Sequence, residues 1–160
     1  MHLAELNIGR LKYEVGDPRI ADFVDNLGRI NAVAERMPGF VWRLVGDGST
    51  DGALDLRPFP DPMMAVNMSV WETVEHLEQY VWNTVHKRFY NRKAEWFELM
   101  DSHSHHFCMW FIEEGHTPTL DEAKARLEHL ETHGNSDHAF DWSHLEHVKL
   151  WQSQRCGQAS

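Results

Sequence analysis

The chain has 160 residues, of which 42% are hydrophobic, and this length and composition predict one folded domain with a substantial core. The formal net charge of −10 at pH 7 argues against nucleic acid and anionic lipid as partners, because phosphate groups are bound by basic surfaces. We expect no membrane span, because no apolar run reaches the ~20 residues that cross a bilayer. With two cysteines and no leader peptide in evidence, we expect a cytoplasmic protein.

Hydrophobic periodicity and turn-forming residues divide the chain into alternating strands and helices. The first half of the chain is predicted to contain a strand over 3–11, a helix that begins at Asp17-Pro18 and ends at Pro38-Gly39, a strand over 40–45 and a loop over 46–62. A strand over 63–71 follows, and then a helix capped by Thr73 and a further helical stretch over 89–100. The last predicted elements are a strand over 106–112, a helix with a capping box from Thr119 to Glu122, and a short helix over 145–154.

The order of these elements predicts the fold class. Strand, helix, strand, strand, helix, strand is the order of the ferredoxin-like β-α-β-β-α-β unit, an α+β fold with an antiparallel sheet. We expect this unit to occupy residues 1–115, with residues 116–160 as a C-terminal helical extension packed on the same domain. Two helices would cover one sheet face, and the other, apolar face would need a second copy of the chain to cover it. We therefore expect a homodimer.

Polar residues interrupt the otherwise apolar strands at Asn7, Asn67 and Ser69. If they project into one small cavity bounded by Trp71, their neutral groups can hold a substrate carbonyl or a reduced oxygen species while the aromatic wall excludes water. The alternative is a solvated sheet face or a hydrogen bond at a dimer interface. The sequence leaves open which face of the sheet these residues occupy.

The second long helical region carries candidate proton-transfer and anion-binding residues. His86 would titrate near neutral pH and suits removal of a proton from a phenolic or enolic substrate, although it also suits a structural role on the helix. Arg88 and Arg92 are one turn apart and match a clamp for a carboxylate. Glu95 and Glu98 provide simpler ion-pair partners for the same arginines.

Histidines and cysteines give no recognised metal-binding pattern. The chain has twelve histidines, including His129 and His133 one helical turn apart and the group at 103, 105 and 106. Neither set is completed by a carboxylate or a cysteine in a known spacing, so we expect no metal site. Cys108 lies within an apolar strand and is predicted to be a buried, inert thiol.

Four segments carry a family resemblance, namely residues 7–11, 25–44, 66–97 and 115–134. Together they resemble the bacterial DUF3291 family over about residues 3–142. That family is named for its unknown function, and its wider relatives are the dimeric α/β-barrel proteins. These include antibiotic-biosynthesis-type monooxygenases, which use no metal or cofactor, and haem-degrading monooxygenases. The resemblance therefore implies a dimeric α/β barrel and leaves the chemistry open.

The haem-degrading relatives provide a second set of expectations. They use an Asn on the first strand, with a Trp and a haem-ligating His ten residues apart on the second long helix. Asn7 matches the Asn, and His86 lies on the corresponding helix, whereas Trp71 precedes His86 by fifteen residues. Counted from Trp71, Tyr80 and Tyr90 stand where the Trp and the His would be, and a tyrosine can ligate haem iron.

From the residues and the resemblance we expect a homodimer with one pocket per subunit for a small aromatic or otherwise apolar molecule. The expected reaction is monooxygenation without a cofactor, in which His86 removes a proton and Asn7 and Asn67 stabilise the oxygenated intermediate. Substrate-binding residues would be Trp71, Tyr80, Ser69 and Arg88. One alternative is a haem protein with His86 or Tyr90 on the iron and Arg88 or Arg92 on a propionate. The other alternative is a ligand-binding module without catalysis.

Overall fold

The computed structural model describes residues 1–47, 52–99 and 105–147. This part of the chain is α+β, and none of its helices is both long and apolar enough to span a bilayer. Its strands are β1 (His2–Arg10), β2 (Phe40–Arg43), β3 (Met64–Trp71) and β4 (Phe107–Ile112), and its α-helices are α1 (Ala21–Arg36), α2 (Val74–Asn83), α3 (Val85–Asn91), α4 (Lys93–Trp96) and α5 (Leu120–His133).

The four strands form one antiparallel sheet in the order β2-β3-β1-β4. β1 and β3 are therefore the central strands, and their register runs from Leu3 opposite Trp71 to Arg10 opposite Met64. At the outer edge of β4, Met109 and Phe140 exchange backbone hydrogen bonds. The chain that follows α5 thus returns to the sheet and covers part of its edge.

Several helical segments begin at side-chain caps, and those at Asp17, Thr73 and Thr119 are where the sequence predicts them. Asp17 accepts a hydrogen bond from the Arg19 amide, and the 3₁₀ turn Pro18–Ile20 leads into α1. Three later helices are capped by threonines whose hydroxyl oxygens accept a backbone N–H bond: Thr73 caps α2, Thr84 caps α3 and Thr119 caps α5. Thr84 also separates α2 from α3, and Arg92 separates α3 from α4. The helical stretch predicted over 89–100 is therefore two short helices, of which α3 begins before residue 89 and α4 ends at Trp96. The predicted terminal helix over 145–154 lies mostly outside the described residues.

Helices pack on both faces of the sheet. On one, the α1/α2 face, Leu3 and Trp71 pack against side chains of α1 and α2 such as Ile30 and Leu77. On the other, the α5 face, even-numbered residues of β1, β3 and β4 pack against Ala123, Leu127 and Leu130 of α5. Leu56 and Phe59 from the segment between β2 and β3 also pack on the α5 face.

The argument for a second copy of the chain assumed a bare apolar face, and this assumption is wrong. Leu6, Met68 and Trp110 on the α5 face are no more than 1% exposed within a single chain. The reason is that α5 lies across this face, so the apolar side chains are already removed from water. Cys108, on the same face, is fully buried, and burial raises the pKa of its thiol to about 12, in agreement with the predicted inert thiol.

Candidate functional site

Asn7 and Asn67 form a polar pair at the centre of the α1/α2 face. They stand directly opposite each other in the β1–β3 ladder, on the same side of the sheet as Trp71. Central strands beneath helices normally bury their inward side chains, yet Asn67 is exposed and Asn7 is half-buried. Among the described residues, no hydrogen bond joins either side-chain amide to another protein group. The helices therefore leave this part of the face open.

The next row of cross-strand neighbours on this face is formed by Glu5, Ser69 and Arg43, and it contains a buried carboxyl group. Glu5 stands opposite Ser69, two residues before the asparagine pair on β1, and it is only 4% exposed. The Ser69 hydroxyl donates a hydrogen bond of 2.6 Å to Glu5 Oε1, and Trp71 Nε1 donates one of 2.9 Å to Ser69 Oγ. Burial raises the pKa of Glu5 to about 7, against the opposing effect of the Ser69 hydrogen bond. Glu5 can thus gain or lose a proton near neutral pH.

Arg43 continues the same row on β2, where it is paired with Ser69. Its Nε donates a hydrogen bond of 2.7 Å to Glu35 Oε1. Its Nη1, in contrast, is buried and has no hydrogen-bond partner among the described residues. An unsatisfied buried donor is costly, and a ligand or water oxygen placed here would relieve that cost.

Aromatic side chains from β3, α2 and α3 form a continuous series beside this row. The Trp71 and Tyr80 rings stack with centroids 5.2 Å apart, and the His86 ring lies 5.1 Å from that of Tyr80. Tyr90 extends the series, with its ring 6.5 Å from His86. Burial, followed by the charge of Glu5, raises the pKa of Tyr80, so its hydroxyl stays protonated and donates to the Ile30 carbonyl at 3.3 Å. Four of the residues singled out from the sequence are therefore brought into one aromatic series.

His86 lies within this aromatic series, on α3, with Tyr80 on one side and Tyr90 on the other. Its Nδ1 donates to the Val81 carbonyl at 3.2 Å, which leaves Nε2 as the free acceptor. Burial lowers the pKa of His86, so the imidazole is neutral at pH 7. Its role as the catalytic base stays a prediction, and Glu5 is the group next to the open asparagine pair.

Arg88 lies on α3, and Arg92 is the residue between α3 and α4. Arg92 is held by ion pairs with Glu95 at 2.7 Å and Asp22 at 3.1 Å, so the alternative of a local ion pair applies to it. Arg88 is exposed on α3 and shares a surface cavity with Arg92. Of the two arginines predicted to clamp a carboxylate, only Arg88 is therefore without an ion pair among the described residues.

No set of three His, Cys, Asp or Glu side chains within the described ranges is arranged to hold a metal ion. His129 stacks against both His133 and His138, with ring centroids 4.5 Å apart in each case. Arg126 Nη1 lies 3.0 Å from His138 Nδ1, which places a fixed positive charge against this group. His103, one of the three clustered histidines in the sequence, lies outside the described residues.

Sequence reasoning missed Glu5 and Arg43 as site residues. The alternation of β1 does place Glu5 on the face of Asn7, and this was a usable signal. The partner that matters, Ser69, is 64 residues away, and only the register of β1 with β3 puts the two side chains together.

A family model described as a domain of unknown function, DUF3291, matches residues 2–156. The chain belongs to the DUF3291 family. No curated protein matches it. The match spans every strand of the sheet, so the row of Glu5, Ser69 and Arg43 lies within the matched region.

Proposed function

We propose that this DUF3291 protein binds a small aromatic molecule on the open part of the α1/α2 face and transfers a proton from it to Glu5. The observation that carries the proposal is the buried Glu5 carboxyl group, with a pKa near 7, beside the exposed Asn67. Buried groups with shifted pKa values next to an accessible surface are typical of proton-transfer sites. Trp71 and Tyr80 are buried, at 0% and 8% exposure, and they give the row of Glu5 the apolar surroundings that favour an apolar ligand.

The reaction class that we propose is oxygenation without a bound cofactor. The ionised Glu5 takes a proton from an acidic C–H group of the substrate, and the amide of Asn67 and Nη1 of Arg43 donate to the oxygen of the enolate that forms. The carbanion then gives electrons to O₂. A CH₂ group becomes a carbonyl group, with one oxygen atom entering the product and the other leaving as water. The substrate supplies all the electrons, so no external reductant is needed.

We also propose that the strands and helices have a ferredoxin-like arrangement. The strand order β2-β3-β1-β4 and the helix positions between the strands support it. Because α5 covers the second face, a homodimer would use another surface. The exposed Val41 and Val45 at the β2 edge are the candidates, at 42% and 55% exposure. Light scattering supports the dimer if the mass is twice the 18.7 kDa of the chain, and a single-chain mass overturns it.

Anthrone is a suitable test substrate, because it is a neutral tricyclic aromatic ketone whose CH₂ group is acidic and is oxidised to a second carbonyl. We expect the protein to accelerate O₂ consumption with anthrone, and the rate to rise with pH through about 7 as Glu5 ionises. Glu5→Gln should reduce the rate at least ~100-fold, the size expected for loss of a general base. Glu98→Gln is the matched control, since Glu98 is exposed and bonded to Arg10.

Two results separate the alternatives. Anthrone binding without O₂ consumption would contradict the proposed chemistry and favour a ligand-binding module. A Soret absorption band after addition of haem, lost on changing His86 or Tyr90, would favour the haem protein instead. A rate equal in the native protein and Glu5→Gln would overturn the role of Glu5.

A further inference from the structure

A second candidate site lies on the surface between α1 and α3. It is a cavity of about 250 Å³ lined by Arg29, Arg88, Phe89 and Arg92. Arg29 comes from α1, and Arg88 and Phe89 come from α3, so two separate elements place their cationic side chains around one space. This site is independent of the proton-transfer site proposed above.

The three arginines of the cavity differ in their charge balance. Arg92 is neutralised by Glu95 and Asp22. Arg29 and Arg88 are exposed, and within the described parts of the chain neither forms an ion pair or a side-chain hydrogen bond. Two unneutralised guanidinium groups that face one cavity repel each other, and an anion placed between them is stabilised by both. This is notable in a chain whose net charge is −10.

Phe89 gives the cavity an apolar side. Its ring stacks on Trp96 with centroids 5.8 Å apart. It also packs against the buried group that includes Leu77 and against the one that includes Ile20, which fixes its position. A guanidinium group pairs with a carboxylate through two parallel hydrogen bonds, whereas a phenyl ring favours a flat hydrophobic body. The combination therefore fits an organic anion better than an inorganic one.

We propose that the cavity between α1 and α3 binds a small aromatic carboxylate, with Arg29 and Arg88 on the carboxylate and Phe89 against the ring. Both arginines are exposed, so the affinity should fall as ionic strength rises. A neutral analogue of the same shape should bind much more weakly, because it lacks the charge that the two arginines recognise.

Titration calorimetry with sodium benzoate tests this proposal, with benzamide as the neutral analogue. We expect Arg29→Gln and Arg88→Gln each to raise the Kd for benzoate about tenfold. Arg36→Gln is the matched control, because Arg36 is an exposed arginine at the C-terminal end of α1 and does not line the cavity. This change should leave the Kd unchanged. Glu5→Gln should also leave it unchanged, which separates this site from the proton-transfer site.

Three results would overturn the proposal. Equal affinity for benzoate and benzamide would show that charge is not recognised. Benzoate binding unaffected by both arginine changes would place it elsewhere. Inorganic phosphate that binds more tightly than benzoate would mean that the apolar wall has no part in recognition.

Discussion

Ser69 donates a hydrogen bond of 2.6 Å to the buried Glu5 carboxyl group across the two central strands of the sheet. This bond joins β1 to β3 through side chains as well as through the backbone ladder. The bond also holds the ionisable Glu5 beside Asn7 and Asn67. Among the described residues, these two asparagines form the polar pair that the helices leave open on that face. The predictions for stability and for chemistry both depend on this contact.

Glu5→Gln should change how stability depends on pH. In the folded protein Glu5 keeps its proton up to about pH 7, whereas in the unfolded chain it ionises near 4.5. The folded state thus binds more protons between these values, and the free energy of unfolding falls as pH rises through this window. The loss attributable to Glu5 amounts to about 3 kcal/mol. It is complete above about pH 7.

Urea unfolding at several pH values between 4.5 and 8 measures this difference between the native protein and Glu5→Gln. Glu98→Gln, at an exposed position, should follow the native curve. Parallel curves for the native protein and Glu5→Gln would mean that Glu5 has an ordinary pKa in the folded state.

Ser69→Ala should destabilise the protein by about 1–3 kcal/mol, because it leaves both the Glu5 carboxyl group and Trp71 Nε1 without their buried partner. The Ser69 bond lowers the pKa of Glu5, so its removal should raise that pKa further. Ser143→Ala, which removes an exposed contact to Asp141, should cost much less. Equal losses in the two variants, measured by urea unfolding at pH 6, would contradict the buried network.

Gly39→Ala tests the turn that leads into β2. Gly39 has φ of +81°, and a Cβ atom there would overlap the His76 ring. Gly16 has φ of +105° with nothing within 4 Å of the added atom, so Gly16→Ala measures the conformational cost alone. We expect Gly39→Ala to lower the melting temperature clearly more than Gly16→Ala. A similar shift in both would mean that His76 moves aside without cost.

Local sequence signals predicted the elements of this fold well. Asp17 with Pro18, Thr73 and Thr119 act within a few residues of their own position, so their capping roles follow from the sequence. The placement of α5 did not follow, because Leu127 and Leu130 give an apolar stripe without saying which surface it covers. That gap led to the wrong expectation of a bare sheet face.

The candidate site was predicted only in part for a similar reason. The sequence singled out Asn7, Asn67 and Ser69. Strand alternation shows which residues of the same strand share a face with each of them, but only within that strand. Glu5 gains its unusual proton affinity from burial, which the Ser69 hydrogen bond opposes, and both effects depend on long-range packing. Arg29 reaches the second cavity only because α1 packs against α3, and no spacing in the sequence relates the two helices.

The most direct test of the proposed proton-transfer site is an NMR titration of the Glu5 carboxyl carbon in protein labelled with ¹³C-glutamate, with Glu5→Gln used to assign the signal. We predict a titration midpoint near pH 7. A midpoint near 4.5, the ordinary value for a glutamate, would contradict the proposal, because Glu5 would then be ionised at all physiological pH values and could not exchange a proton there.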